Sequence, residues 1–342
     1  MRPILLRLFA FLLLWPLAAM ADPGPDPALR DAFLAHAGGR YGLAAGEVEA
    51  WLAKASYRQG IVNAMARPAE RTKAWHEYRP IFISDRRIAD GRAFLARHRE
   101  QLAKVEADTG VPAELIVAII GVETSYGGNT GSHLVLDALY TLGFFYPVSG
   151  DPAQVARETA RGEFFRDELA QVMLLAKEEG LDLAALRGSY AGAMGYGQFM
   201  PSSYRAYARD GDGDGRRDLF GSLPDVFASI ANYFVAHGWQ PGEPVVALAR
   251  KDDGAETFVA DGLEAKYTLA ELGARGYRPA EAQGHDLKAT LVTLEGNDGT
   301  EHWLGFQNFY AITRYNRSPM YAMAVHQLSR EIAVGAEAVA AP

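Results

Sequence analysis

A chain of 342 residues, 49% of them hydrophobic and 22% charged, has enough apolar surface for one large core or two smaller ones. Its formal charge of -8 argues against a general polyanion binder, because a phosphate backbone is held by clustered Lys and Arg; nucleic acid is not an expected partner. With no cysteine, disulfides and a lipid on an N-terminal cysteine are both excluded, so stability is expected from core packing and from metal.

The first residues read as a secretory leader. Arg2 and Arg7 precede an apolar run from Leu8 to Ala19, and Ala19-Met20-Ala21 supplies small residues before Asp22. That run is shorter than the roughly 20 residues that cross a bilayer. Residues 1–21 are therefore expected to be removed, leaving a soluble periplasmic protein that begins near Asp22.

From residue 22 to about 106 apolar side chains such as Phe33, Leu34, Val48, Trp51 and Leu52 recur at helical spacing, which predicts several amphipathic helices. The pattern breaks around Pro68 and Pro80, and Tyr78-Arg79-Pro80-Ile81-Phe82-Ile83 is predicted to be extended, suited to lining a cleft. Residues 107–240 are again helical. A strongly apolar helix is predicted over Val111 to Val122, opened by Pro112 and closed by Gly127-Gly128. Helical spacing resumes over Leu134 to Phe145 and Glu163 to Glu178, a glycine-rich run follows from Gly188 to Gln198, and Val226 to His237 reads as another buried helix.

Over residues 241–304 the period changes. Short runs at Pro244 to Leu248, Thr257 to Ala260, Ala289 to Leu294 and His302 to Phe306, separated by Gly and Asp turns, predict a small β-rich module. Residues 305–335 return to helical spacing, mainly from Phe309 to Ile332, and are expected to pack back onto the earlier helices. The fold class is thus mainly α, with a β-rich part.

One carboxylate stands out. Leu115, Ile116, Ile119, Ile120 and Val122 form an apolar stripe, and Glu123 follows Ile119 by four and Ile120 by three, at the edge of the same face. Desolvation there and the negative end of the helix dipole both favour the protonated acid. A carboxylic acid held protonated near neutral pH suits glycosidic cleavage, in which the departing sugar oxygen must receive a proton. The alternative is a Glu that closes the helix and pairs with an Arg, and pattern alone does not choose.

The motifs around Glu123 carry more. Gly121-Val122-Glu123-Thr124-Ser125-Tyr126-Gly127, the stretch from Gly188 to Ser203, Ala231-Asn232-Tyr233-Phe234 and Arg314-Tyr315-Asn316-Arg317-Ser318-Pro319 occur in that order. From about Ala28 to Ile332 the chain resembles the B-type membrane-bound lytic murein transglycosylases. The resemblance implies a lysozyme-like helical catalytic core, an N-terminal helical region and a small β-rich insertion. It also implies non-hydrolytic cleavage of peptidoglycan glycan strands between N-acetylmuramic acid and N-acetylglucosamine, leaving a 1,6-anhydro end. The family's catalytic glutamate falls on Glu123, its serine and glutamine on Ser189 and Gln198, its sugar-binding residues on Tyr315, Asn316 and Tyr321, with Tyr78 as a further cleft residue. Ser189, Gln198 and Asn316 suit hydrogen bonds to acetamido and hydroxyl groups, and the three tyrosines offer flat faces to sugar rings.

Asp210-Gly211-Asp212-Gly213-Asp214-Gly215-Arg216-Arg217-Asp218 places carboxylates at positions one, three, five and nine of an EF-hand loop, with the turn glycine at six and the Arg216 carbonyl at seven. Position twelve is Gly221, so the usual bidentate Glu is absent, and the resemblance points to Asp225 as the closing ligand of a lengthened loop. A structural Ca²⁺ is expected, with no organic cofactor; the alternative is an Asp-Gly turn that binds nothing. Two further functions stay open on sequence. One is a hydrolytic lysozyme using Asp137, Asp151 or Asp167 as partner to Glu123; the other is a wall-binding protein without catalysis. The β-rich module is a candidate contact for the wall or for a protein of wall synthesis.

Overall fold

The computed structural model describes residues 24–66, 73–284 and 286–340. Residues 1–21, read as a leader, lie outside these, as does Pro68. Six helices come first: α1 Pro27–Tyr41, α2 Ala45–Leu52, α3 Gln59–Ala66, α4 Trp75–Phe82, α5 Asp85–Arg97 and α6 Arg99–Thr109. The extended reading of Tyr78 to Ile83 is corrected here, because α4 runs through Pro80. Pro80 removes one helical hydrogen bond, but Trp75 and Tyr78 each bury to 2% exposure, and that packing outweighs the local break.

The centre of the molecule is α7, Ala113–Thr124, whose side chains are buried all round apart from Glu114 and Glu123. A helix apolar on every side is a core helix, and here α5, α6, α11 and α14 pack about it. The strand β1 (His133–Leu134) leads into α8, Val135–Phe144, and then α9, Pro152–Glu179. The start of α9 lies well before Glu163 because Asp151 caps it, Oδ1 accepting the Ala153 N–H at 3.0 Å, ahead of mostly exposed first turns with no apolar period to read. β2 (Arg187–Gly188) pairs antiparallel with β1, and α10 (Pro201–Tyr207) and α11 (Leu223–Ala236) follow the glycine-rich run.

The β-rich stretch holds β3 Val246–Lys251, β4 Tyr267–Thr268, the short α12 Leu269–Ala274, β5 Tyr277–Pro279, β6 Lys288–Gly296 and β7 Gly299–Gly305. They form an antiparallel sheet in the order β4-β6-β7-β3-β5. Its own small core gathers Leu272, Tyr277, Leu291, Leu304 and Phe306. Thr257 to Ala260, expected as a strand, is irregular, with Phe258 tucked against that core and Val259 82% exposed. The chain then returns through α13, Gln307–Tyr315, and α14, Pro319–Ala340, separated by the break at Asn316 to Ser318.

The polar side chain Glu168, on α9 and 1% exposed, interrupts a face otherwise filled by Phe165, Leu169, Val172 and Met173. Burial pushes its carboxyl up from 4.5 to about 7, against the hydrogen bonds it accepts from Ser202. The folded protein keeps a proton that the unfolded chain has released, so this group's contribution is full below about 4.5 and is lost as pH rises to about 7. Glu168→Gln removes that slope. Its Tm, followed by calorimetry from about pH 5 to about pH 8, is expected to rise relative to wild type; a pH-independent difference would contradict this.

Candidate active site

Glu123 is half-buried in the last turn of α7. The helix ends at Thr124, just short of the Gly127-Gly128 pair expected to close it: Ser125 and Tyr126 take φ of 51° and 61°, left-handed values that cost a non-glycine residue about 1 kcal/mol or more each. Tertiary contacts hold that strain. The amides of Ser125 and Tyr126 donate to the carbonyls of Gly121 and Ile120. The Tyr126 hydroxyl donates to the Arg87 carbonyl at 2.7 Å, and the Arg87 guanidinium donates to the Gly121 carbonyl. Thr124 Oγ donates to the Tyr196 carbonyl at 3.0 Å and so joins the helix end to the glycine-rich run.

Tyr321, on the first turn of α14, donates its hydroxyl to Glu123 Oε1 at 2.5 Å. Burial first, and then the charge of Glu123, push the Tyr321 phenol well above its ordinary value, so it stays a donor at every working pH. The same causes raise Tyr315, whose hydroxyl donates to the Gly197 carbonyl at 2.6 Å. Tyr78 lies near enough to Tyr321 to affect its titration. The three tyrosines therefore gather about Glu123, but not as open platforms. Tyr78 is 2% and Tyr321 3% exposed, with Tyr78 packed 5.0 Å from the Phe82 ring. The expectation of flat faces for sugars is corrected for these two, because α4 and α14 pack together and cover the rings.

The glycine-rich run is a folded turn. Met194 and Phe199 exchange both backbone hydrogen bonds at 2.9 Å, and Gln198 sits between them at φ 49°. A glycine is needed at Gly195, where φ is 69° and a Cβ would lie 2.4 Å from the Leu219 carbonyl oxygen. Gln198 Nε2 donates to the carbonyls of Gly195 and Thr130, the latter in the loop that follows Glu123. Ser189 Oγ accepts from the amides of Ala191 and Ala193, which leaves its proton to donate outward. Asn316 Oδ1 accepts the Ser318 amide at 3.1 Å, and Asn316 borders a cleft of about 810 Å³ lined also by Tyr146, Tyr190, Ala191 and Ser318.

The alternative partner carboxylates are engaged elsewhere. Asp137 is 4% exposed and accepts from the Ser56 amide and the Arg58 guanidinium. Asp167 accepts from the Tyr41 hydroxyl and contacts His36 at 2.8 Å, and Asp151 caps α9. Asp210, Asp212 and Asp214 do converge, each presenting an oxygen within 4.8 Å of the others. Asp210 accepts the amides of Gly213 and Gly215, and these bonds hold its carboxyl below the usual range. Asp225, 1% exposed, accepts the amides of Gly211 and Asp218 at 2.7 Å each, so it ties the two sides of the loop together.

A model of the transglycosylase SLT domain matches residues 28–330. The chain belongs to this transglycosylase family. It is 41% identical over 276 residues to membrane-bound lytic murein transglycosylase B of Escherichia coli K12, covering 81% of this chain and 72% of that one. The crystal structure of soluble lytic transglycosylase SltB1 from Pseudomonas aeruginosa superposes with a TM-score of 0.80 at 49% identity, covering 90% of this chain and 99% of that one. The Escherichia coli lytic transglycosylase Slt35 in complex with calcium gives 0.78 at 36% identity, over 95% and 100% of the two chains. Among the described residues of this family member, no helix is long and apolar enough to cross a membrane.

The residues that sequence reasoning missed are supporting ones: Thr124, Tyr126 and Arg87, none of which has a signal apart from the Glu-Thr-Ser-Tyr-Gly order. Tyr321→Phe removes only the donor to Glu123. It is expected to lower kcat roughly ten- to a hundred-fold with unchanged circular dichroism, measured by release of soluble fragments from cell walls; wild-type kcat would show that the hydrogen bond is idle.

Proposed function

We propose that Glu123 performs both proton transfers of a peptidoglycan lytic transglycosylase. As a carboxylic acid it gives its proton to the glycosidic oxygen, and N-acetylglucosamine departs with a new hydroxyl. The substrate's N-acetyl group stabilises the positive centre left on N-acetylmuramic acid. The C6 hydroxyl of that sugar then attacks its own C1, and its proton returns to the Glu123 carboxylate. No water is consumed, and a second carboxylate is not required because the nucleophile is already tethered.

The observation that carries this reading is the Tyr321 hydroxyl on Glu123 Oε1. A neutral donor stabilises the anion formed after the first transfer, while the negative end of α7 opposes that charge; the two together suit a group that must give a proton and take it back. Ser189, Gln198 and Asn316 would hold acetamido and hydroxyl groups, and Tyr315 would border the sugar. The chain is proposed to act in the periplasm on glycan strands, after removal of residues 1–21. Replacement of Glu123 by Gln keeps the shape and removes the exchangeable proton, and is expected to cost on the order of a thousand-fold in rate. Asp151→Asn and Asp167→Asn should retain wild-type chemistry per folded molecule; loss in either to the level of Glu123→Gln would favour a two-carboxylate hydrolase.

The loop residues fit a hard cation. Asp210, Asp212 and Asp214 converge, the Arg216 carbonyl belongs to the same loop, and each Asp225 oxygen keeps a lone pair beyond the one its amide occupies. Calcium bound there would neutralise the clustered charge and stabilise the fold without entering the reaction. Titration with Ca²⁺ is expected to raise Tm in proportion to occupancy, equivalent to about 2.7 kcal/mol at a hundred-fold excess over Kd. EDTA should reverse the rise and Asp212→Asn should abolish it; an unchanged Tm in wild type would remove the loop as a metal site.

A further inference from the structure

The glycine-rich turn holds a non-glycine residue, Gln198, at φ 49°, a conformation that the local chain would not keep unaided. It therefore depends on anchors outside itself. Several are at the site already: the Thr130 carbonyl under Gln198, the Tyr315 hydroxyl on Gly197, and the Thr124 hydroxyl and Leu219 carbonyl on Tyr196. A further one is at the exit of the turn, where only three residues separate Gln198 from Ser202 in the first turn of α10.

Ser202 is held by Glu168. The two carboxylate oxygens divide the work, Oε2 accepting the Ser202 amide at 2.8 Å and Oε1 accepting its hydroxyl at 2.5 Å. The grip continues along the α9 and α10 pair, where Arg205 donates to Gln171 at 2.8 Å and to Glu178 at 2.9 Å. An apolar residue would pack the α9 face at lower cost than an almost fully buried carboxylate. The helix pair has surface links enough without it. What Glu168 supplies that Leu could not is a fixed position for the backbone of Ser202.

We propose that Glu168 is a positioning residue for glycan cleavage, fixing the exit of the glycine-rich turn and through it the place of Gln198 relative to Glu123. The proposal rests on the reading of Gln198 as a substrate contact. Glu168 touches Ser202, not the sugar, and acts by keeping the strained turn in one arrangement.

Steady-state kinetics of the full chain on soluble, uncrosslinked glycan fragments test this, with Tm and folded fraction measured for each variant. Glu168→Ala is expected to lower kcat/KM roughly ten- to a hundred-fold, with KM raised at least about three-fold. Loss of folded molecules would lower kcat alone and leave KM unchanged. Glu168→Gln, whose amide oxygen still accepts the Ser202 N–H, should recover most of the rate, Ser202→Ala should fall between, and Glu168→Ala with Ser202→Ala should be no worse than Glu168→Ala. Wild-type KM in Glu168→Ala beside an impaired Gln198→Ala would overturn the proposal alone, as would wild-type kinetics in Ser202→Ala should Glu168→Ala not fold. Wild-type rates in Gln198→Ala would instead sink the reading of Gln198, and the proposal with it.

Discussion

A single carboxylate at the end of a wholly buried helix, met there by one tyrosine hydroxyl, is the contact on which the site depends. α7 is buried apart from Glu114 and Glu123 and is enclosed by α5, α6, α11 and α14. Glu123 is therefore held at the end of a helix buried along almost its whole length. Tyr321 arrives from α14, 198 residues later in the chain, so the hydrogen bond forms only when the C-terminal helices have closed over the core. The placement of Glu123 against Tyr321 thus reports on the completeness of the fold.

Several of the neighbours restrain backbone. Ser125, Tyr126 and Gln198 all occupy left-handed conformations, and each lies next to a hydrogen bond that crosses between elements: Tyr126 to Arg87, Thr124 to Tyr196, Gln198 to Thr130. Such strain costs folding energy and persists where the surroundings determine it. Under the proposed mechanism with one acid and base, rigid placement of neutral donors and acceptors is a main means of favouring the transition state. The engagement of Asp137, Asp151 and Asp167 in structural roles is consistent with that economy.

The helical class was legible from helical spacing, the central helix from its unbroken apolar run, and the β-rich stretch from short runs between Gly and Asp turns. What was illegible shares one cause, which is that local pattern does not record tertiary packing. Pro80 reads as a breaker, yet α4 passes through it because Trp75 and Tyr78 are buried on neighbouring helices. The start of α9 was hidden by exposed polar residues. At the site, the residue types around Glu123 were readable from motif order, but the placement of the tyrosines was not: the ring faces of Tyr78 and Tyr321 are covered, and it is the Tyr321 hydroxyl that reaches Glu123. Asp225 looked like a ligand and is also the bolt that holds the acidic loop closed.

Cleavage by an internal nucleophile under one acid and base is tested most directly by the fate of solvent oxygen. Purified peptidoglycan should be digested with the wild-type enzyme in water enriched in heavy oxygen, and the released muropeptides weighed by mass spectrometry. Anhydro ends with no heavy oxygen at C1 are expected. Reducing ends carrying the heavy isotope would mean that water attacks, and that the lone carboxylate described here has a partner.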